Sequence, residues 1–576
     1  MKRLLATLLT LGAVGAQVTV VSARATVVDD YLDHYFRTFP TRATAEGLHD
    51  YDRQLEDLGP EERQAWISYS HEVEGRVSKQ LAAADLDFQD RLDLELLHRQ
   101  IERQLLDWEV FRRPERNPLF WTGILSNATV YLLVRDDLPE DQRLDRAAAR
   151  AALIPRLALQ ARQALAGSDP SQIAPELAAM AARQAGASAV FYRQGFAEAA
   201  PGSAKDLREK MATTGAEAAA ALDELAEFLG NLEQRATGSA RLGEQYALRF
   251  RTVTGVEEPV SEILARAKAD LAAKLEETVG YGREVWPQIF PDEVPPTEDR
   301  ALLGRLMQRV SEDRSDTVDE YVEDWRALIR DSIDFVRRHD VISLPEPLTL
   351  HVGRSPSFFI GQSVGGVYPA GPYAPADAKT LLFLPTPSDD ATPEQRQAFF
   401  RDFNHHFNVM ITPHELIPGH YLQLKYAARQ PHKVRALFGD GVYIEGWGTF
   451  CERLMLDLGW GGPLARLAHL KKQLENIART IVDIRVHTTG MTRDEVLAFV
   501  ENEALQDKQF AGNMWRRAIT STPQLTSYHL GYREVWGLYE DVRAARGKSF
   551  HLKEFMDGMM ELGPVPVKYY RQRMLD

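Results

Sequence analysis

The residues with the clearest chemical potential are crowded into one string, Thr412-Pro413-His414-Glu415-Leu416-Ile417-Pro418-Gly419-His420-Tyr421-Leu422-Gln423. His414 and Glu415 are adjacent, His420 follows, and 25 residues later comes Glu445, in Ile444-Glu445-Gly446-Trp447-Gly448. Two imidazoles and a carboxylate suit zinc, and a hydrolytic zinc site uses three protein ligands with a fourth position left open. His414, His420 and Glu445 are the candidate ligands of one Zn²⁺ per chain. Glu415, beside a ligand, is placed to act as general base, taking a proton from water and passing it to a leaving amine. A purely structural zinc site has no use for such a base.

The spacing makes a demand on the backbone. In the usual helical zinc motif the two histidines are four apart and share a face. Here they are six apart, and at about 100° per residue a regular helix would turn them to different sides. Pro418 clashes in a helix with the carbonyl of His414, four residues back, and Gly419 tolerates the distortion that follows. The expectation is a local kink or bulge that returns His420 to the side of His414. Glu452 lies seven residues after Glu445, on the same helix face, where it could orient a histidine ligand from behind.

Those residues need a scaffold, and most of the chain reads as helix. Residues 202–258, 297–344 and 464–522 contain no proline and are rich in Ala, Leu, Glu, Arg and Gln, all good helix formers. Apolar residues recur at three- and four-residue spacing, as in Leu222, Leu225, Phe228 and Leu229. Residues 345–393 break this pattern with nine of the 30 prolines. Within them Leu348–Val352 and Thr380–Leu384 read as short strands around a Gly/Pro/Tyr-rich loop, 361–375. A dense helical segment from Pro393 to about Gly459 then carries the chemistry.

The string from His414 to Gln423, with Glu445-Gly446-Trp447, resembles the bacterial proteins grouped as DUF885, which in turn resemble the gluzincin zinc metallopeptidases. Ala43-Thr44-Ala45-Glu46-Gly47-Leu48-His49-Asp50-Tyr51-Asp52 is similar to that family's N-terminal signature, and Tyr528-His529-Leu530-Gly531 to its C-terminal Tyr-x-x-Gly element. The resemblance spans about residues 28–570. It implies a mostly α-helical, two-lobed, oligopeptidase-like architecture with a deep channel and a small β-sheet near the active site. It implies the ligand set His414, His420 and Glu445 with Glu415 as catalytic base, and short peptides as substrates. It also offers Tyr528 as a catalytic residue, since a phenol can donate a hydrogen bond to a developing oxyanion.

Outside the motif, Lys2 and Arg3 precede an apolar run, Leu4–Val14, followed by small residues. This describes a secretory signal peptide over residues 1–23, with cleavage after Ala16 or Ala23. A single helical domain, 24–576, would then be exported, periplasmic or secreted, with no stable membrane insertion after cleavage. Cys451 is the single cysteine, so internal disulfides and cysteine-based metal sites are excluded, and a small buried apolar role is expected. The composition is that of a soluble globular chain, with 44% hydrophobic and 26% charged residues. A net charge of −15 disfavours nucleic acid as a partner.

Other residues bear weighing. His405 and His406 could line the cleft, although a surface or supporting role fits adjacent residues better. Arg516 and Arg517 could bind a substrate carboxylate, against a solvated helix face as the plainer reading. Tyr368 and Tyr373 could touch substrate. A different class, a di-iron helical protein, rests on Glu46-Gly47-Leu48-His49 and Glu95-Leu96-Leu97-His98, both Glu-x-x-His, but Gly47 opposes a firm helix. A non-enzymatic helical binding protein of the periplasm is the remaining alternative.

Overall fold

A computed structural model describes residues 23–359, 366–388 and 391–575. All but the last residue of the expected signal segment, 1–23, lies outside them, as does part of the 361–375 loop. Helix makes up 72% of the chain, as the proline-free, alanine- and leucine-rich stretches require. The helices that build and surround the site are α1 (Phe88–Leu105), α2 (Val260–Ile289), α3 (Val318–Arg338), α4 (His405–Glu415), α5 (His420–Ala428), α6 (Gly441–Asp457), α7 (Pro463–Thr488) and α8 (Ser527–Arg546). Among the described residues, no helix is long and apolar enough to cross a membrane.

Local sequence sets several of the helix starts. Thr317 and Glu320 form a reciprocal capping box at α3, which satisfies two N–H groups the first turn would otherwise leave unpaired. The Asn404 side chain accepts from Phe407 N–H at α4 (3.0 Å) and the Asp440 side chain from Tyr443 N–H at α6 (2.7 Å). The proline-free stretches are interrupted nevertheless. In 464–522, α7 stops at Thr488, followed by Gly490 in the left-handed region at φ +72°, which L-residues with a side chain rarely adopt.

The small sheet has strand order β1-β3-β2, with β1 (Leu350–Arg354), β2 (Gly366–Tyr368) and β3 (Thr380–Leu384). β1 runs parallel to β3, Leu350 facing Thr380, and β2 runs antiparallel to β3, Val367 facing Leu382. Every residue of the central β3 is buried, which is why Thr-Leu-Leu-Phe-Leu reads as a continuous apolar run and its bounds are those expected. The first strand begins two residues later than expected, and β2 falls in the stretch read as loop. Three residues flanked by glycine and proline carry too little alternation to announce a strand. The sheet reaches the motif through Lys425 of α5, whose Nζ donates to Thr349 Oγ1 just before β1 (2.9 Å).

One hydrophobic cluster runs from Val27 to Tyr570 and joins N-terminal helices to α4, α6 and the C-terminal segment. A second unites α2 and α7 through Leu271, Leu474, Ile477 and Ile481. Cys451 is fully buried within the first, matching the role expected of it.

Candidate metal centre

The chain does not bend at Pro418-Gly419 within one helix. It breaks: α4 ends at Glu415, and a new helix, α5, begins with His420. The expected kink is therefore a full interruption, and it solves the spacing problem more completely, because two helix ends can be aimed independently. Gly419 is what lets them meet. A Cβ there would overlap the carbonyl oxygens of both Pro413 and His414, so no other residue fits without moving the backbone. Trp447 of α6 donates its indole N–H to the Pro418 carbonyl (2.9 Å) and fixes the break against the next helix.

Glu445 and Tyr528 come together for a similar reason. α6 and α8 cross with backbones in contact at Gly446 and Gly531, where a Cβ on either glycine would overlap the opposite main chain. Gly446 follows Glu445, and Gly531 lies three residues after Tyr528, on the same face. The Tyr-x-x-Gly element thus has a packing cause. Gly448 serves the histidine directly: a Cβ there would lie 2.8 Å from the His414 ring.

The outcome is a compact three-residue cluster. Ligand atoms of His414, His420 and Glu445 all lie within 4.8 Å of one another. Glu445 Oε2 is 3.7 Å from His414 Nε2 and 3.6 Å from His420 Nε2. These separations are too long for hydrogen bonds. Two ligands each about 2.0–2.2 Å from a tetrahedral zinc ion lie roughly 3.3–3.6 Å apart, and the two separations to Glu445 come within about 0.1 Å of that range. The rings stand nearly perpendicular, centroids 4.7 Å apart at 81°. Among the described residues this is the one group of three or more His, Cys, Asp or Glu so arranged. The donor set and the spacing fit a zinc ion.

Supporting contacts orient two of the three groups. His414 Nδ1 lies 2.7 Å from Glu452 Oε1, and Glu452 Oε2 lies 3.0 Å from His469 Nδ1 on α7. Glu452 is fully buried. Burial raises its pKa, but the two histidines outweigh that and hold it down to about 2. Gln524 Nε2 donates to Glu445 Oε1 (3.0 Å), leaving Oε2 turned to the histidines. Burial also opposes the charged form of Glu445, yet His414 and His420 hold its carboxyl well below the usual range. For His414 burial favours the neutral ring, but Glu445 and Glu452 push its pKa well above the ordinary value. The Nδ1 of His420 is buried with no protein partner among the described residues. Its position comes from the start of α5.

Tyr528 is buried beside this cluster, its ring 6.4 Å from that of His414. Its Oη accepts from Arg517 Nη2 (3.1 Å) and from Gln524 Nε2 (3.2 Å). The Arg479 guanidinium lies over its face at 4.4 Å. Two incoming donors occupy the lone pairs, so the phenol proton is free to point elsewhere. Glu415 ends α4, half-buried.

Several residues stand elsewhere than weighed, and others were missed. Arg516 is exposed, as on a solvated face, whereas Arg517 turns inward to Tyr528 and Gln524. His405 and His406 pair with Asp324 (2.9 Å) and Asp313 (2.8 Å), outside the cluster. Tyr368 packs edge-on against Tyr131 and Tyr373 against Phe36. Neither Glu-x-x-His string joins a metal cluster among the described residues: His49 pairs with Asp52 and Asp137, and His98 with Glu102. His469, Arg479 and Gln524 escaped sequence reasoning. A signal for His469 was present. His469, Gln473, Asn476, Thr480, Asp483 and His487 recur at four- and three-residue spacing, and all six are buried. A polar stripe on a buried helix marks groups that need partners.

A mostly helical fold with a small mixed sheet and one His-His-Glu cluster defines the class. The profile of the family described as bacterial protein of unknown function (DUF885) matches residues 40–574, and the chain belongs to that family. No curated protein matches the chain. Among solved structures, a predicted lipoprotein of unknown function from Shewanella oneidensis superposes with a TM-score of 0.78 at 27% identity, covering 96% of this chain and 100% of that one. A predicted lipoprotein from Colwellia psychrerythraea superposes with a TM-score of 0.76 at 15% identity, covering 96% and 99%. These likenesses bear out the helical architecture.

Proposed function

We propose that the protein is an exported zinc-dependent metallopeptidase that hydrolyses peptide bonds, with short peptides as its substrates. The observation that carries this reading is the convergence of His414, His420 and Glu445 on one point, with Glu415 adjoining a ligand. When bound there, zinc would polarise a peptide carbonyl and acidify a water molecule. Everything else falls to the chain. Glu415 takes a proton from the attacking water as its oxygen adds to the carbonyl carbon. The same carboxyl then delivers that proton to the amine nitrogen as the C–N bond breaks. Tyr528, its lone pairs held by Arg517 and Gln524, donates a hydrogen bond to the carbonyl oxygen as negative charge gathers there and keeps its proton throughout. Glu452 keeps the His414 ring turned with Nε2 toward the cluster.

Export is supported by the Lys2-Arg3 start with its apolar run and by the description of both structural relatives as lipoproteins. The test is hydrolysis of a peptide library by the purified protein, with and without chelator. Chelator-sensitive cleavage that Glu415→Gln abolishes while zinc stays bound is the expected result. Equal turnover by the Glu415→Gln protein would remove Glu415 from the mechanism.

A further inference from the structure

A cavity of about 510 Å³ is bounded in part by Gly441 and Val442 at the start of α6 and by Gln524 and Ser527 near the start of α8. Gln524 belongs to both places. It lines the cavity while its Nε2 bonds Glu445 and Tyr528. The cavity is therefore one side chain away from the cluster, and Gly441 and Val442 lie about one turn before Glu445 on its own helix.

The charge of this cavity runs against the charge of the chain. Arg103, Arg113, Arg116, Arg241 and Arg249 line it, opposed by one carboxylate, Asp107, in a protein of net charge −15. Asp107 is already taken, by Arg113 (3.1 Å) and by Arg249. Arg241 donates to the Met491 carbonyl (3.2 Å) and lies over Trp515. Arg103 and Arg116 are different: among the described residues neither guanidinium has a hydrogen bond or ion pair, and Arg116 Nε is buried without a partner. The acids in reach of Arg103 are Asp107 and Asp440, and Asp440 is bound by Arg99 at 2.6 Å. Both side chains are half-buried, so their guanidinium groups face the cavity with acceptor positions unfilled by the protein. Guanidinium forks match carboxylates two bonds at a time, and a ligand bringing carboxylates would supply the missing acceptors.

We infer that this cavity is a substrate subsite that selects acidic peptides, seating carboxylates on Arg103 and Arg116 beside the metal cluster. The shared chemistry is the carboxylate; it comes from acidic side chains or from the peptide's C-terminus. That the ligand is a peptide rests on the function proposed above. The charge selectivity does not, and the two can fail separately.

The test is fluorescence anisotropy with the full chain carrying Glu415→Gln, so that bound peptide is not cut. The probes are a labelled tetrapeptide with two glutamates, its glutamine counterpart, and the C-terminally amidated form of each. The glutamate peptide is expected to bind roughly ten-fold or more tighter than its glutamine counterpart, with an advantage that shrinks as salt rises. Adding Arg103→Gln and Arg116→Gln should erase the advantage and leave the affinity of the amidated glutamine peptide unchanged. Loss on amidation alone assigns the subsite to the C-terminus, and loss on glutamine substitution alone assigns it to side chains; both support it. Neither guanidinium holds a partner, so the double variant should melt close to its parent. If it melts early, Arg116→Lys, which keeps the charge and loses the fork, should still cut the advantage. Binding that neither glutamine substitution nor amidation weakens, or a carboxylate-dependent advantage that survives the substitutions, overturns the inference. Chelator-sensitive hydrolysis without charge preference would leave the peptidase standing and remove the subsite. Charge-selective binding without hydrolysis would do the reverse.

Discussion

Glu452 Oε1 sits 2.7 Å from His414 Nδ1, and both side chains are buried. This carboxylate fixes which imidazole nitrogen faces the cluster: the Nδ1 proton is donated backward and Nε2 is turned toward Glu445. Its other oxygen is held by His469 at 3.0 Å. Glu452→Gln removes the charge and gives one of the two rings an amide where it needs an acceptor. Zinc affinity should fall about 10–100-fold, read by competition with a chromophoric chelator. An affinity matching the parent's would show that Glu452 plays no part in orienting His414.

Two glycines separate the geometry of the ion from the fold of the loop. At Gly448 a Cβ would press on the His414 ring at 2.8 Å, and a ring can shift by some tenths of an ångström. Gly448→Ala is expected to fold and to bind zinc more weakly. At Gly419 the Cβ would overlap backbone carbonyls that cannot yield. Gly419→Ala is expected to lose zinc binding together with at least 2 kcal/mol or so of stability, in the range of severe backbone conflicts. Denaturant unfolding with zinc titration distinguishes the two; equal behaviour of the variants would contradict the assignment.

Asp483 offers a pH test remote from the ligands. Burial raises its pKa to about 7 from an ordinary 3.8, although a hydrogen bond from Tyr246 Oη (2.7 Å) and the charge of Arg517 act the other way. The folded protein therefore holds a proton that the unfolded chain releases. The group's contribution to stability is full below about pH 3.8, declines as pH rises to about 7, and is level beyond. Asp483→Asn keeps an acceptor for Tyr246 and carries no charge. It should be more stable than the parent at pH 8 by roughly 2–4 kcal/mol, with little difference in acid. Urea unfolding at both pH values is the measurement, and an equal or lower stability at pH 8 would sink the claim.

The site was readable in the sequence where chemistry is carried by residue type and short spacing. His414, Glu415 and His420 lie within seven positions, and the conflict between their spacing and helical geometry pointed to Pro418-Gly419 as the place where the backbone departs. That the departure is a complete break was not legible, because proline and glycine signal a disruption without fixing its extent. Glu452 followed from helical periodicity. Gln524 and Arg479 were invisible, since the contacts that tie them to the site, Glu445 for Gln524 and Tyr528 for Arg479, lie far away in sequence and their types are ordinary on helices. Arg517 misled as well: beside exposed Arg516 it reads as a solvated face, and only its hydrogen bonds to Gln524 and Tyr528 show that it turns inward. Long apolar helices and the all-buried β3 were legible from pattern, whereas β2 depends on pairing with β3, which no local pattern encodes.

The claim on which the account rests is that His414, His420 and Glu445 hold a single ion between them. It is tested most directly by zinc anomalous scattering from crystals of the full chain grown with zinc. The account predicts one strong peak about 2.0–2.2 Å from His414 Nε2, His420 Nε2 and a Glu445 carboxylate oxygen, absent in His420→Ala crystals. A map with no peak among these three side chains, or with zinc held by other residues, would contradict it.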